Sequence, residues 1–397
     1  VDLNEGNVLE YCHDIVYLIE PGLIKLNKLI RQDNAIFEKL SDKKIVLNRS
    51  VLSEKDVMES GGMDAELCIQ SAADSFALLS KGDYLMGGVR GHAHGMLLVF
   101  PKSSDIPNYP LNNGNDHRFT AMPAYAGGRF HCAGMKWISS NTDNPRLRGI
   151  PRGSSFIVLS DPESGVVFSA MSGTLVSTMR SAAGAAVAVK YLGEKTKTLA
   201  LIGAGVMNKA SLLLFPKLMP QLECIKVYDL VQEKSEQFCR EVKEEIGLDV
   251  QIAESMTEAF ADADTIHLGQ SKNFLVEETF VKPGALVLVS SVCNIDRKLI
   301  ASSNIFMDQL KTHEIWREDD RSMTIPTFEV LEEVDKGTIS KDDIIDIGAI
   351  HDGSKAIPQN GKTNLFYWMG MPLMDVTLAY DVYEAAKKCR KGTTLPL

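Results

Sequence analysis

Apolar residues near the start of the chain recur at helical spacing. Val8, Tyr11, Ile15 and Leu18 share one face until Pro21 breaks the run, which predicts helix over much of 7–40. Ser53 is placed to cap a helix starting at Glu54, and Asp64 to Leu79 reads as a second amphipathic helix stopped by Lys81-Gly82-Asp83. From Met86 to Phe168 the pattern changes to short apolar runs between Gly, Pro and Asn turns, which predicts a mixed or antiparallel sheet. Val176 to Tyr191 carries Ala and Ser at helical spacing, the small-residue face of a closely packed linking helix. Beyond it, continuous apolar runs near 198–202, 224–229, 249–253, 264–269, 285–290 and 304–308 alternate with helical stretches, the pattern of a parallel sheet with helical crossovers. Pro216 should kink or end the first crossover helix, and Phe366 to Lys388 reads as a final helix returning to the first half.

The chain's 397 residues are ample for two or three domains, and the composition, 45% hydrophobic and 24% charged, is that of a globular protein. A net charge of −10 with no basic run argues against nucleic acid or an anionic membrane as the main partner, so a substrate anion must be held by a few placed cations. Seven cysteines without a CxxC pair read as reduced thiols of a cytoplasmic protein. No apolar run approaches a membrane span, and the N-terminus lacks the basic-then-apolar order of a signal peptide.

The richest stretch is Leu199 to Asp229. A buried-strand run, Leu199-Ala200-Leu201-Ile202, meets Gly203-Ala204-Gly205-Val206-Met207-Asn208, then a helical pattern, then a second strand ending in Asp229. That is the order of a dinucleotide-binding βαβ unit. Gly203 allows the tight turn, Gly205 lets backbone approach a pyrophosphate, and Val206 and Met207 open the helix whose N–H groups face it. A carboxylate at Asp229 accepts from both adenosine ribose hydroxyls and repels a 2′-phosphate, so the expected cofactor is NAD rather than NADP. Asn208 occupies the third glycine position, and the helix–strand packing there must tolerate its side chain.

An ordered set of landmarks then carries a resemblance. Gly87-Gly88-Val89-Arg90, Met122-Pro123-Ala124-Tyr125, Gly134-Met135-Lys136, the Asp161-to-Gly165 turn, Thr178-Met179-Arg180-Ser181-Ala182-Ala183, Gly203-Ala204-Gly205, Val281-Lys282-Pro283-Gly284 and Phe366 through Gly370 to Asp375 follow one another from about Leu52 to Lys388. In this the chain resembles the ornithine cyclodeaminase/μ-crystallin family. The phrases around His117–Gly128 and Gly134–Ser139, with Gly149-Ile150-Pro151-Arg152, look most like the branch that makes 2,3-diaminopropionate by NAD-dependent oxidative cleavage of an amino-acid–glutamate conjugate. The resemblance implies an α/β protein of two domains: a Rossmann-like NAD-binding domain over 181–365, and an α+β substrate-binding and dimerisation domain over 52–180 and 366–397. Residues 1–51 stand outside both as a helical extension. It also implies a homodimer, a small amino-acid-derived substrate and no metal.

Carried over by position, Arg90, Lys136 and Arg180 become the active-site cations. The arginines hold a substrate carboxylate, and Lys136 contacts it or moves a proton. Arg118 competes with Arg90 or binds a second carboxylate. Gly269 and Ser291 join Gly203, Gly205, Val206, Met207 and Asp229 as cofactor-binding positions. Against these stand ordinary roles: a surface cation for Arg180 and a snorkelling lysine for Lys136.

Three departures matter. The family's catalytic Asp aligns with Val292, which can neither take nor give a proton, and Asp296 is the nearest displaced carboxylate. A Pro/Asn-rich insertion runs from Gly91 to Arg118, and about fifty residues precede Leu52. His92-Ala93-His94 alone is a weak metal signal, whereas His117 and His131 are candidate acid/base groups. The expected activity is NAD-dependent oxidation or reduction of a C–N bond through an imine. A cyclodeaminase-type lyase that recycles NAD within the turnover is the alternative, and a non-catalytic crystallin-like dinucleotide-binding protein is a second.

Overall fold

Two sheets organise the computed structural model, which describes residues 48–112, 116–291, 293–319 and 326–396. The helix expected within 7–40 lies outside the described residues. Arg49–Thr394 forms one compact unit.

The first sheet is built from β1 (Asn48–Leu52), β2 (Tyr84–Met86), β3 (Met96–Val99), β4 (His117–Ala126), β5 (Cys132–Asn141), β6 (Gly153–Ser160) and β7 (Val167–Ser172). Helix α1 (Ala65–Lys81) falls between β1 and β2. Asp64 caps its start, accepting from the Leu67 amide at 2.8 Å, and Gly82 ends it at φ +71°. The strand order is β1-β7-β6-β5-β4-β2, with β3 also paired to β4. β2 to β7 pair antiparallel, and β1 lies parallel to β7. Alternation along β4 turns Thr120, Met122, Ala124 and Ala126 inward.

Helix α2 (Thr174–Leu192) links the halves. Its Ala182, Ala183, Ala185, Ala186 and Ala188 are fully buried, and these small side chains let α1 and the first crossover helix approach closely. The second sheet follows: β8 (Thr198–Ile202), α3 (Val206–Leu212), β9 (Cys224–Tyr228), α4 (Gln232–Glu245), β10 (Gln251–Ile252), β11 (Thr265–Leu268), β12 (Leu286–Val289), β13 (Asn304–Met307), α5 (Leu310–Asp319), α6 (Thr327–Asp335), β14 (Ile345–Asp346) and β15 (Asn364–Tyr367). All its pairings are parallel, in the order β10-β9-β8-β11-β12-β15-β13-β14. Both faces are covered, so alternate residues enter different cores: Leu199 and Leu201 pack with α2, and Ala200 and Ile202 pack on the opposite side. All six strand runs expected from 198–308 form. α3 ends at Leu212, ahead of Pro216, which sits in a short 3-10 turn.

One element differs from expectation. Phe366 and Tyr367 belong to strand β15, and the final helix, α7 (Pro372–Cys389), starts only at Pro372. A short apolar run such as Leu365-Phe366-Tyr367-Trp368 has no periodicity to separate buried strand from buried helix. α7 then packs beneath β4 and β5. Where it crosses β5 the strand carries Gly134, and a Cβ there would stand 2.8 Å from the Val158 carbonyl oxygen and 3.0 Å from Val376 Cγ2. Gly134→Val should therefore destabilise the protein by about 1–3 kcal/mol through overpacking. Denaturant unfolding checks this: the midpoint falls while the slope is unchanged.

Candidate active site

A cavity of about 310 Å³ lies at the C-terminal ends of the parallel strands. Val289, Ser290 and Ser291 line it from the end of β12, and Tyr367, Trp368 and Met369 from the end of β15. The facing wall is the first sheet, which presents Arg118, Thr120 and Met122 from β4 and Lys136, Ile138 and Ser140 from β5. Alternation explains this wall: in register Met122 faces Lys136, Thr120 faces Ile138 and Arg118 faces Ser140.

Lys136 is fully buried. Its ammonium donates to Asp375 Oδ2 at 2.7 Å and to Ser177 Oγ at 3.0 Å. Asp375 Oδ1 accepts from Arg180 Nε at 2.9 Å, so one buried carboxylate joins two cations from β5 and α2. Burial, and then the Arg180 charge, pull Lys136 down to about 8 against the opposing pull of Asp375. Arg180 fits because Gly370, at φ +71°, has no Cβ; one built there would overlap Arg180 Nη1. Asp375 was not assigned a role from sequence. The signal available was a lone carboxylate flanked by Leu373, Met374, Val376 and Leu378 in an apolar helix, which needs buried cations to be tolerated.

A second charged group stands at the cavity edge. Asp116 pairs with Arg118, and its Oδ2 accepts from Arg152 Nη2 and Ser140 Oγ, each at 2.6 Å. These contacts hold the Asp116 carboxyl below its usual range despite partial burial. Arg90 stands apart from the cavity lining and pairs with Glu318. Of the four cations singled out from sequence, Lys136, Arg180 and Arg118 share the cavity.

Histidines divide differently from expectation. His117 meets the Leu111 carbonyl at 3.3 Å, and His131 pairs with Glu163 and Tyr125; neither lines the cavity. His94 and His313 do. His313 is buried between Asp308 Oδ1 at 2.5 Å and Thr327 Oγ1 at 3.1 Å. Asp308 Oδ2 also accepts the amides of Met369 and Gly370, each at 3.1 Å, tying α5 to the loop that seats Arg180. Val292 lies outside the described residues. Asp296 caps the helix at Arg297–Ser302, accepting from the Lys298 amide at 3.0 Å, and is absent from the cavity lining.

The glycine turn lies at the end of β8. Gly203 has φ +96°, and a Cβ on it would stand 2.8 Å from the backbone of Gln270. A Cβ on Gly205 would meet nothing within 4 Å, so the backbone there is open to a ligand. Val206 is largely exposed and starts α3, with Met207 behind it. Asn208 is accommodated by hydrogen bonds and by space: Nδ2 donates to the Ile202 and Gly203 carbonyls at 3.0 and 2.6 Å. Gly269, where a Cβ would stand 2.9 Å from the Asn208 amide, leaves it room. Asp229 Oδ2 accepts from the Ala204 amide at 2.9 Å and Oδ1 from the Val231 amide at 3.1 Å. A second cavity of about 250 Å³ lies there, lined by Gly203, Asp229, Val231, Lys234 and Phe274 among others. Ser291 lines the first cavity and donates to the Leu268 carbonyl at 2.7 Å. Among the described residues, no cluster of three or more His, Cys, Asp or Glu side chains could hold a metal ion, and no helix is long and apolar enough to cross a membrane.

Known proteins share this fold. The chain is 27% identical over 361 residues to the N-((2S)-2-amino-2-carboxyethyl)-L-glutamate dehydrogenase of Staphylococcus aureus, covering 88% of this chain and 100% of that protein. A solved Thermococcus litoralis Delta(1)-pyrroline-2-carboxylate reductase, in complex with NADH and L-proline, has the same fold with a TM-score of 0.72 at 21% identity, covering 87% of this chain and 100% of that one. An archaeal alanine dehydrogenase dimer with bound NAD gives a TM-score of 0.70 at 21% identity, covering 88% and 99%. The family model described as ornithine cyclodeaminase/mu-crystallin matches residues 66–390, and the chain belongs to that family.

Proposed function

We propose that this protein is an NAD-dependent oxidoreductase that acts on the C–N bond of an amino-acid conjugate through an imine. The observation that carries the reading is the buried Lys136–Asp375–Arg180 array, opening into a cavity at the C-terminal ends of the parallel strands. The residues present fit a dinucleotide: the backbone at Gly205 is open, and Asp229 lies beside a cavity of nucleoside size. When bound, NAD supplies the hydride acceptor. The chain's own groups do the rest. Arg180 holds the carboxylate beside the reacting carbon, because a guanidinium stays charged and matches carboxylate geometry. Lys136, brought near neutrality, exchanges a proton with the substrate nitrogen or with the water that opens the imine to an amine and a 2-oxo acid. Two cations share Asp375 and two share Asp116, so each group carries one net positive charge while Lys136 is protonated. Two such spots suit a substrate with carboxylates at both ends. That supports a glutamate–diaminopropionate conjugate, the kind of molecule named for the Staphylococcus relative. Arg90 lies outside the cavity wall and pairs with Glu318, so this reading gives the carboxylate-binding role to Arg180 and Arg118.

The first sheet and α7 form the substrate half in this reading, and the second sheet the dinucleotide half. The outward face of the first sheet supports a homodimer. Leu85, Met96, Leu98, Trp137 and Phe156 are all exposed, and Phe119 stacks on Trp137 with centroids 5.4 Å apart, an apolar surface that a second copy would cover. The six cysteines among the described residues are free thiols, which supports a cytoplasmic setting.

The direct test is NADH formation from NAD with the glutamate–diaminopropionate conjugate, ornithine, lysine and alanine, with amine and ammonia release followed in parallel. NADH accumulating with an equal amount of 2-oxo acid establishes the dehydrogenase; ammonia from ornithine without NADH establishes the lyase instead. In the oxidative direction kcat/KM should rise as pH passes about 8, where Lys136 loses its proton. The limb should vanish in Lys136→Arg, which stays charged. Lys136→Met should lose about 10²–10⁴-fold in kcat with NADH binding intact; a near-normal rate removes Lys136 from the mechanism. Asp229→Ala should weaken NADH binding by roughly tenfold, about 1.4 kcal/mol, and narrow the preference over NADPH, since Lys234 remains in the same cavity. Fluorescence titration with both nucleotides measures this, and an unchanged ratio refutes the assignment.

A further inference from the structure

His94 falls in the Gly91–Arg118 insertion, and the structure brings it into the cavity beside Lys136 and Arg180. Its Nδ1 lies 2.9 Å from the Gly370 carbonyl oxygen. A carbonyl can only accept, so Nδ1 carries the proton and Nε2 of the neutral ring keeps its lone pair. The ring is fixed on its other side by Trp316, edge-on with centroids 4.5 Å apart. Gly370 is itself held by Asp308 and is the residue whose missing Cβ admits Arg180. The same loop therefore sets the tautomer of His94 and the position of the carboxylate-binding guanidinium.

The groups facing His94 explain why it stays neutral. Burial, the charge of Arg180 and then that of Lys136 push it down to about 3, against the weaker pull of the Gly370 carbonyl and Asp375. Its neighbour His92 is turned to Tyr84, 2.7 Å from its hydroxyl, so the two histidines do not act as a pair. Lys136, Arg180 and Arg118 all present donors to the cavity. Such a wall suits carboxylates and repels a protonated amine. An amino-acid substrate also carries N–H groups, which need an acceptor.

We propose that His94 Nε2 is that acceptor: it takes a hydrogen bond from the substrate's bridging N–H and so turns the nitrogen, and the carbon beside it, to one fixed orientation above Arg180. The inference rests on the proposed function and deepens it, by naming the side chain that selects a nitrogen-bearing substrate over an isosteric one.

The experiment uses the full chain saturated with NADH. Two probes are titrated calorimetrically: the glutamate–diaminopropionate conjugate, and its analogue with CH2 in place of the bridging NH. Wild type should prefer the NH probe by about tenfold or more, because the CH2 probe leaves a buried acceptor unsatisfied. His94→Asn can still donate to Gly370 from the Nδ1 position but has nothing where Nε2 was. It should lose the preference by weakening the NH probe alone. His94→Gln, whose amide oxygen reaches the Nε2 position, should restore part of it. NADH affinity equal to wild type shows that each variant is folded. A preference that persists in His94→Asn overturns the role of His94 and leaves the proposed function standing. Wild type that binds neither probe overturns the substrate class and the inference with it.

Discussion

The carboxylate of Asp375 is the constraint around which the site is built. It is fully buried, and it joins an ammonium from the first sheet to a guanidinium from the linking helix. Removing one partner of such a buried group leaves an uncompensated charge, far more costly than losing a surface ion pair. Each element must therefore arrive in register. Alternation along β5 sends Lys136 inward, and the alanine face of α2 brings Arg180 close. The turn at Gly370 starts α7 so that Asp375 falls in its first turn, where the helix dipole favours a carboxylate. The site is therefore complete only when β5, α2 and α7 are packed together.

Charge is managed locally in a protein whose overall balance is −10. Two cations share Asp375, and Arg118 and Arg152 share Asp116. A bare pair of guanidinium and ammonium groups would bind any small anion tightly and repel its own neighbours. A partly compensated group holds its geometry while empty and keeps one charge for the ligand.

How much of this was legible in the sequence depended on whether a residue's signal was local. The turn from Leu199 to Asp229 was readable because strand run, glycines and carboxylate are fixed by spacing along the chain. The six strands between 198 and 308 were readable because both sheet faces are covered and the runs are uniformly apolar. Phe366 and Tyr367 carry no such signal, because four consecutive apolar residues have no phase to separate strand from helix. Lys136 and Arg180 stood out as isolated charges in apolar surroundings, but the carboxylate that joins them lies 239 and 195 residues away from its partners. Asn208 shows the same limit. A third glycine was missing, and the space it would have provided comes from Gly269 on a different strand end. His94 was hidden more completely: its meaning comes from a carbonyl at Gly370, 276 residues on, and an insertion offers no pattern against which to read it.

Occupancy and protonation are coupled in such a site. Lys136 is drawn toward neutrality by burial and by Arg180. A substrate carboxylate held by Arg180, as the proposed function has it, would screen that repulsion, so that binding raises the proton affinity of Lys136 and departure of the product lowers it again. His94 answers to the same two cations, but its tautomer is pinned by a backbone carbonyl, and burial is the largest of the causes that disfavour its charged form. In the proposed reading, Lys136 is free to change its proton count with each turnover while His94 is kept from doing so. A site that both moves a proton and recognises an N–H, as proposed for this one, needs two nitrogens of different character, and the fold supplies them from separate elements: an ammonium on β5 tied to Asp375, and an imidazole ahead of β3 tied to the Gly370 carbonyl.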